Sequence, residues 1–371
     1  MFGGPFKYFG LESFSAMIIR CILTACLLLA SLMTFATAFE NVAVSTLQNN
    51  RCPGIYCGRQ LLSDGNWSRC GACPRGFRAN SSSACMPCNS SPMSYDWMYL
   101  GFMALLPLTL HWYYIDSYLQ SRLFFHQQSD GPSFTRISLS FHASALVEVV
   151  LSVVLTLLLM EPKGSLTVYS CPSFNLSDWY TLLHNPSPDY KYTLHCTQEA
   201  AYPLYSMVFV FYALCVIVMM TIRPFLIWLV IPSPSKRSKP TIPLPLPSHG
   251  KATVYSALYF LPILALLHAL LAGLIYYSFP YVMIVVSLIS SAVHFACKED
   301  QSARKLFKST VSNVRNVVIL LGHWLLHAYG ISCIIPLQVS TNWSVFMLVP
   351  LPALFYILTA KFTDPKKVHS D

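Results

Sequence analysis

Three groups of residues in this chain have the types and spacing that support chemistry. The first is a run of cysteines, Cys52-x4-Cys57, Cys70-x2-Cys73 and Cys85-x2-Cys88. Thiols in this pattern either pair as disulfides or, as in a ribbon-type site built on Cys-x2-Cys pairs, hold a tetrahedral zinc ion. The second is His323-Trp-Leu-Leu-His327. Its i, i+4 spacing sets two imidazoles on one face of a helix. A metal would need a third ligand, and a hydrolytic zinc site a general base, but this motif lacks the Glu of H-E-x-x-H. Neither Glu148 nor His268 is brought near it by anything in the sequence, so a hydrogen-bonded interhelical pair is the expectation. The third is Glu148, alone in an apolar run. An intramembrane carboxylate marks a functional site by default, although a protonated or hydrogen-bonded structural glutamate fits the same position. The spans contain no G-x-S-x-G, no phosphate-binding glycine loop, no aspartate pair and no paired broken helices. These patterns predict no catalytic residue, no metal, no cofactor and no nucleic-acid partner; an interaction protein is expected.

The elements that must position these residues are mostly membrane helices. Hydrophobic residues make up 54% of the 371 and charged residues 11%, against about 25% charged in a soluble domain. The stretch 95–115, YDWMYLGFMALLPLTLHWYYI, opens the bundle. It is an uncharged run with Trp and Tyr at both ends, as bilayer interfaces favour, and with Pro107 as a candidate kink. Ahead of it, Lys7 and Arg20 precede the apolar run 21–35 and Ala36-Thr37-Ala38. These features predict a signal peptide or signal anchor over 1–38, either of which exports the residues C-terminal to it.

Export decides the reading of the cysteines. A segment of this size buries little core and needs cross-links. Residues 39–94 are therefore expected to form a lumenal module with three disulfides in a pairing the sequence leaves open, and Cys171 and Cys196 a fourth bridge in the loop 161–202. Against zinc stand the export signal, the lack of histidine before His111, and the sequons at Asn66, Asn80 and Asn89. Further sequons occur at Asn175 and Asn342.

The fold class read from the pattern is an all-α polytopic membrane protein with about seven transmembrane helices. Spans are expected near 97–115, 142–160, 203–222, 252–276, 279–297, 316–335 and 345–360, within a bundle over 95–361, followed by a tail over 362–371. A polar loop is expected over 116–141, a turn of two or three residues near Pro280, and a proline-rich loop over 231–250 that could dock aromatic grooves. Alternation from an exported module puts fifteen Lys and Arg in cytosolic segments and two in lumenal loops between spans, with all five sequons lumenal. That asymmetry is what the positive-inside rule asks for. Lys236, Arg237, Lys239, Arg304, Lys305 and Lys308 are candidates for docking acidic partners from the cytosol. The net charge of +9 otherwise reports topology. A seven-span cell-surface receptor with a cysteine-rich ectodomain is the alternative. Against it, Thr221-Ile-Arg223-Pro224 stands where a rhodopsin-like receptor carries Asp/Glu-Arg-Tyr, and the seventh span lacks Asn-Pro-x-x-Tyr.

Several stretches resemble the JNK-associated membrane protein family: GIYCG at 54–58, CGACPRGFRAN at 70–80 and the whole of 95–115. The match continues with LSDWYTLLHNPSPDY at 176–190, HCTQEAAYPLY at 195–205, YSALYFLPIL at 255–264, HWLLHAYGI at 323–331 and LVPLPALFYILTAKFTDP at 348–365. The resemblance implies a multi-pass protein of the endoplasmic reticulum without established catalytic residues. It implies an adaptor in ubiquitin-dependent degradation of misfolded proteins that links membrane ubiquitin ligases to proteasomes and modulates JNK signalling. Its implied partners are those ligases, the proteasome, misfolded clients and a JNK-type kinase. The long N-terminal extension and the proline-rich loop depart from the family pattern.

Overall fold

The computed structural model of the chain describes residues 51–126, 132–186, 194–230, 246–296, 298, 302–335, 340–360 and 362. The signal segment, Lys236, Arg237, Lys239 and residues 363–371 lie outside them, as does the side chain of Asn342.

Residues 51–93 form a cap built from two small antiparallel sheets. β1 (Cys57–Gly58) pairs with β2 (Gly71–Ala72), and β3 (Phe77–Ala79) pairs with β4 (Cys85–Pro87). Strands of two or three residues cannot bury a core. Cross-links take its place: Cys52–Cys70 and Cys73–Cys85 within the cap, and Cys57–Cys196 and Cys88–Cys171 from the cap to the loop 161–202. The expected Cys171–Cys196 bridge is therefore not formed, and the cap is not self-contained. A disulfide needs Cα atoms about 4.4–6.8 Å apart. Folding the cap onto the loop brings Cys57 and Cys196 to 5.0 Å and Cys88 and Cys171 to 4.8 Å. Packing is tight enough that a Cβ on Gly58 would meet the sulfurs of Cys73 and Cys85 at 2.6 Å.

The rest is helical: α1 (Ser94–His126), α2 (Pro132–Leu159), α3 (Leu204–Val230), α4 (Leu246–Ala296), α5 (Ala303–Ser312), α6 (Val314–Ile334) and α7 (Leu351–Thr359). Asp96 secures the start of α1 by accepting the Met93 N–H at 2.9 Å, and the helix runs on through Pro107. Among the described residues, four stretches are long and apolar enough to cross a membrane: Ser138–Leu159, Leu204–Phe225, Ala252–Ala296 and Asn316–Ile334; the expected first span, 97–115, is helical within α1 but is not one of them. Their outward faces carry exposed large apolar residues such as Ile217, Leu266 and Leu325. An aqueous surface of this kind aggregates, whereas lipid accepts it.

Four boundaries differ from the sequence expectation. Most of 116–141 is helical, because α1 runs to His126 and α2 begins at Pro132. The helix expected to end before Arg223-Pro224 continues to Val230, since a single proline removes one ladder bond without ending a helix anchored on both sides. No non-helical turn separates 276 from 279, and α4 is one element with Pro262 and Pro280 inside it. Its apolar part, 45 residues, is about 68 Å of helix, more than twice the hydrocarbon layer of about 30 Å. The two halves keep different neighbours: Phe260, His268 and Tyr276 face α1, while Ile284 and Ser287 face α6 at Gly330 and His323. Last, 345–360 is not one long span. A 3-10 segment (Ser340–Leu348) precedes nine residues of α7, with Pro350 and Pro352 at the junction.

The core lies where α1, α3 and α4 meet. Tyr99, Phe102, Phe211, Phe260, Tyr276 and Phe279 are buried in one cluster that extends to Trp179 of the cap-bearing loop.

Candidate functional site

Inside the bundle, four helices converge on one ion pair. Arg223 of α3 is fully buried. It donates from Nη2 to Glu148 Oε2 at 2.6 Å and from Nε to Oε1 at 2.9 Å, a two-pronged pair to α2. Its remaining donors reach the Thr253 carbonyl of α4 at 3.3 Å and His111 Nδ1 of α1 at 3.1 Å. A guanidinium has only donors, so Nδ1 of His111 is an acceptor and the imidazole carries its proton on Nε2. Ser144 donates to Glu148 Oε1 at 2.5 Å. The carboxylate–guanidinium fork thereby satisfies the charges that an apolar helix would otherwise leave uncompensated.

A second polar layer joins the helices close to the cap. Tyr276 donates to Asp96 Oδ1 at 2.6 Å, and Tyr99 Oη and His268 Nδ1 lie 3.4 Å apart. His268 Nε2 faces the Tyr205 carbonyl at 3.0 Å. Tyr329 of α6 donates to the Met98 carbonyl of α1. The loop 161–202 sits on this layer. Its buried Asp178 accepts from Tyr56 Oη and Arg78 Nη2, each at 2.9 Å, and from the backbone of Phe174 and Asn175. Burial beside that carboxylate pushes the Tyr56 phenol up to about 12.

Between the loop and the starts of α3 and the outer part of α4 lies a cleft of about 430 Å³, lined by Trp179, Leu182, Gln198, Glu199, Tyr205 and Leu270. Burial raises the Glu199 carboxyl above its usual range, against the opposing pull of the Ser206 N–H, which it accepts at 2.8 Å, and of Arg75.

The sequence-predicted residues fall into distinct groups. All eight cysteines are bridged. Asn66, Asn80, Asn89 and Asn175 are exposed, with Asn80 Oδ1 accepting from the Ser82 and Ala84 backbone. Arg304, Lys305 and Lys308 are exposed on α5. For His323 and His327, expected to be hydrogen-bonded between helices, Nδ1 of each is buried with no hydrogen-bond partner among the described residues. Glu148 and His268 are engaged with Arg223 and Tyr99 instead. Among the described residues, no three His, Cys, Asp or Glu side chains converge as metal ligands. From the sequence, Arg223 falls just past the expected third span, 203–222, and His111 has no assigned role. The signal for both was Glu148 itself, since a carboxylate in an apolar span calls for a cation from another helix, and Arg223 borders a strongly apolar one.

The chain matches, over residues 52–365, the family described as JNK1/MAPK8-associated membrane protein. It is 42% identical over 325 residues to the JNK1/MAPK8-associated membrane proteins of Mus musculus and of Homo sapiens, covering 86% of this chain and 96% of each relative. It is 29% identical over 341 residues to the Caenorhabditis elegans homolog, covering 86% of this chain and 95% of that protein. No solved structure matches.

Proposed function

The chain belongs to the JNK1/MAPK8-associated membrane protein family, and from that premise we propose that it is an adaptor of the endoplasmic-reticulum membrane. In this reading it associates with a JNK-type kinase and links membrane ubiquitin ligases to proteasomes, so that misfolded clients are cleared. It works without catalysis of its own. The observation that carries the reading is the match along nearly the whole of the cap and bundle, together with what the relatives' names say they associate with.

The physical division of labour follows from the two ends of the molecule. The cap and the loop 161–202 face the lumen, where disulfides persist, and offer surfaces for clients or a ligase. The basic segments that hold Lys236, Arg237 and Lys239, and Arg304, Lys305 and Lys308, face the cytosol. There Lys236, Arg237 and Lys239 attract acidic surfaces of the recruited machinery through interactions that added salt screens.

Co-purification in mild detergent tests this, comparing the intact chain with a Lys236→Gln/Arg237→Gln/Lys239→Gln variant. Proteasome subunits, ligases and the kinase should elute with the intact chain and fall with the variant or with added salt. Recovery of none of them from the intact chain overturns the adaptor reading. Residence in the endoplasmic reticulum has its own readout. Glycans on Asn66 or Asn80 should stay sensitive to endoglycosidase H, and resistant ones would move the protein to the cell surface.

A further inference from the structure

α5 connects the end of α4 to α6, and both neighbours carry apolar stretches long enough to cross a bilayer, Ala252–Ala296 and Asn316–Ile334. A ten-residue helix held between two such segments lies at a membrane surface. Its residues divide into three arcs at the helical repeat. Leu306 and Thr310 are buried, Leu306 in a cluster with Phe295 of α4 and Ala353, Ile357 and Ala360 at α7. Next to them on the wheel come Phe307 and Val311, one turn apart and 57% and 61% exposed; Val314, which opens α6 after the extended Asn313, is 77% exposed. On the side away from Leu306 stand Arg304, Lys305 and Lys308, all exposed.

The apolar arc is thus wider than the groove that α5 fills. Half of it packs on the bundle; the other half is uncovered and passes directly into a cationic arc. We propose that α5 is an in-plane interfacial helix. Phe307, Val311 and Val314 enter the boundary of the acyl chains, and Arg304, Lys305 and Lys308 bind the phosphate oxygens of anionic phospholipid headgroups. The geometry favours lipid over an acidic protein surface. An acidic protein would match the cations alone, whereas a bilayer matches the cations and the adjoining apolar strip together. The flanking helices also hold α5 at the bilayer, so ordering it there costs little. The inference goes beyond the adaptor reading and does not depend on it. It divides the six docking cations, assigning the three on α5 to the membrane and leaving Lys236, Arg237 and Lys239 for a protein partner.

The test uses the purified full-length chain with a benzophenone amino acid at Phe307 or Val311. It is reconstituted in nanodiscs of phosphatidylcholine and phosphatidylserine at about 4:1 and read by mass spectrometry after irradiation; the lipid ratio is a choice suited to anionic surface potentials. Both positions should give phospholipid adducts, with the phosphatidylserine-to-phosphatidylcholine ratio among them raised about fivefold over the bulk ratio. Arg304→Gln/Lys305→Gln/Lys308→Gln should abolish that enrichment, while the charge-preserving Arg304→Lys/Lys308→Arg keeps it. No lipid adduct at either position would overturn the proposal. So would an unchanged serine-lipid share in the neutral variant, or a neutral variant that keeps its lipid pattern and loses the kinase instead. Failure to recover proteasomes by co-purification leaves these outcomes unaffected.

Discussion

The cap and the bundle meet one requirement, that distant segments be held in register, in opposite ways. The cap works in water with strands of two or three residues and too little apolar mass to hold a shape. It is fastened covalently, with two internal disulfides and two more to the loop beneath, and ionically through Asp178 with Arg78 and Tyr56. The bundle has abundant apolar surface, but lipid is as apolar as leucine, so apolar burial between helices gives little specificity. There the buried ion pair Glu148–Arg223 and tyrosine and histidine contacts among the described residues decide which helices meet. The general lesson is that the solvent, more than the residue inventory, determines which interaction can hold a fold in register.

Substitutions can break this contrast, and the largest effect belongs to the bundle. Arg223→Met leaves Glu148 buried without its cation, which costs about 3–5 kcal/mol. The expected readout is loss of the monodisperse peak and of thermal stability in detergent. Glu148→Leu added to Arg223→Met should recover most of that loss, because the matched apolar pair leaves no stranded charge. A double-mutant cycle with additive losses would remove the ion pair as the organiser of the four helices.

Cutting Cys57–Cys196 by serine at both positions should rank second, at about 3 kcal/mol. Its cysteines stand 139 residues apart, against 12 for Cys73–Cys85. Loop-closure entropy therefore favours the longer bridge by up to about 2 kcal/mol, less whatever the Cys88–Cys171 bridge already supplies. Limited proteolysis read on a reducing gel should show cleavage of the cap while the helices remain protected. Simultaneous digestion of the bundle would show that the two regions are not independently held.

Asp178→Asn sharpens the comparison with a milder change. It removes the charge that Arg78 and Tyr56 share, for an expected cost of about 2 kcal/mol, read as faster hydrogen exchange over 170–180 with little change in the helices. The smallest effect, under about 1 kcal/mol, is expected from Glu199→Gln. Burial raises this carboxyl, so the folded state favours its neutral form. That contribution is fully present below the ordinary glutamate range and declines as pH rises through the raised value. The glutamine variant should flatten the decline, and an unchanged pH profile of cap stability would exclude Glu199 as its source.

Much of this molecule is legible in its sequence. Apolar run lengths reveal membrane helices because the thickness of a bilayer demands a minimum stretch, and Ser138–Leu159, Leu204–Phe225 and Asn316–Ile334 lie within a few residues of the expected 142–160, 203–222 and 316–335. The cysteines reveal a disulfide cap, since so short a segment has little other means of holding together. Prolines mark most of the places where the helix ends differ from the expected spans. Pro224 and Pro280 sit inside continuous helices, while Pro350 and Pro352 accompany a real break. Local sequence cannot distinguish these cases, because the outcome depends on whether neighbouring helices compensate for the lost hydrogen bond.

Residue type and spacing alone therefore established an all-helical membrane protein with a cross-linked cap, because hydropathy and thiol content act locally and additively. Only the tertiary structure decided which cysteine met which, that Arg223 turns inward to Glu148 and His111, and that α5 leaves half its apolar arc uncovered. Each of these depends on distances between segments far apart in the chain, and such distances are fixed by packing.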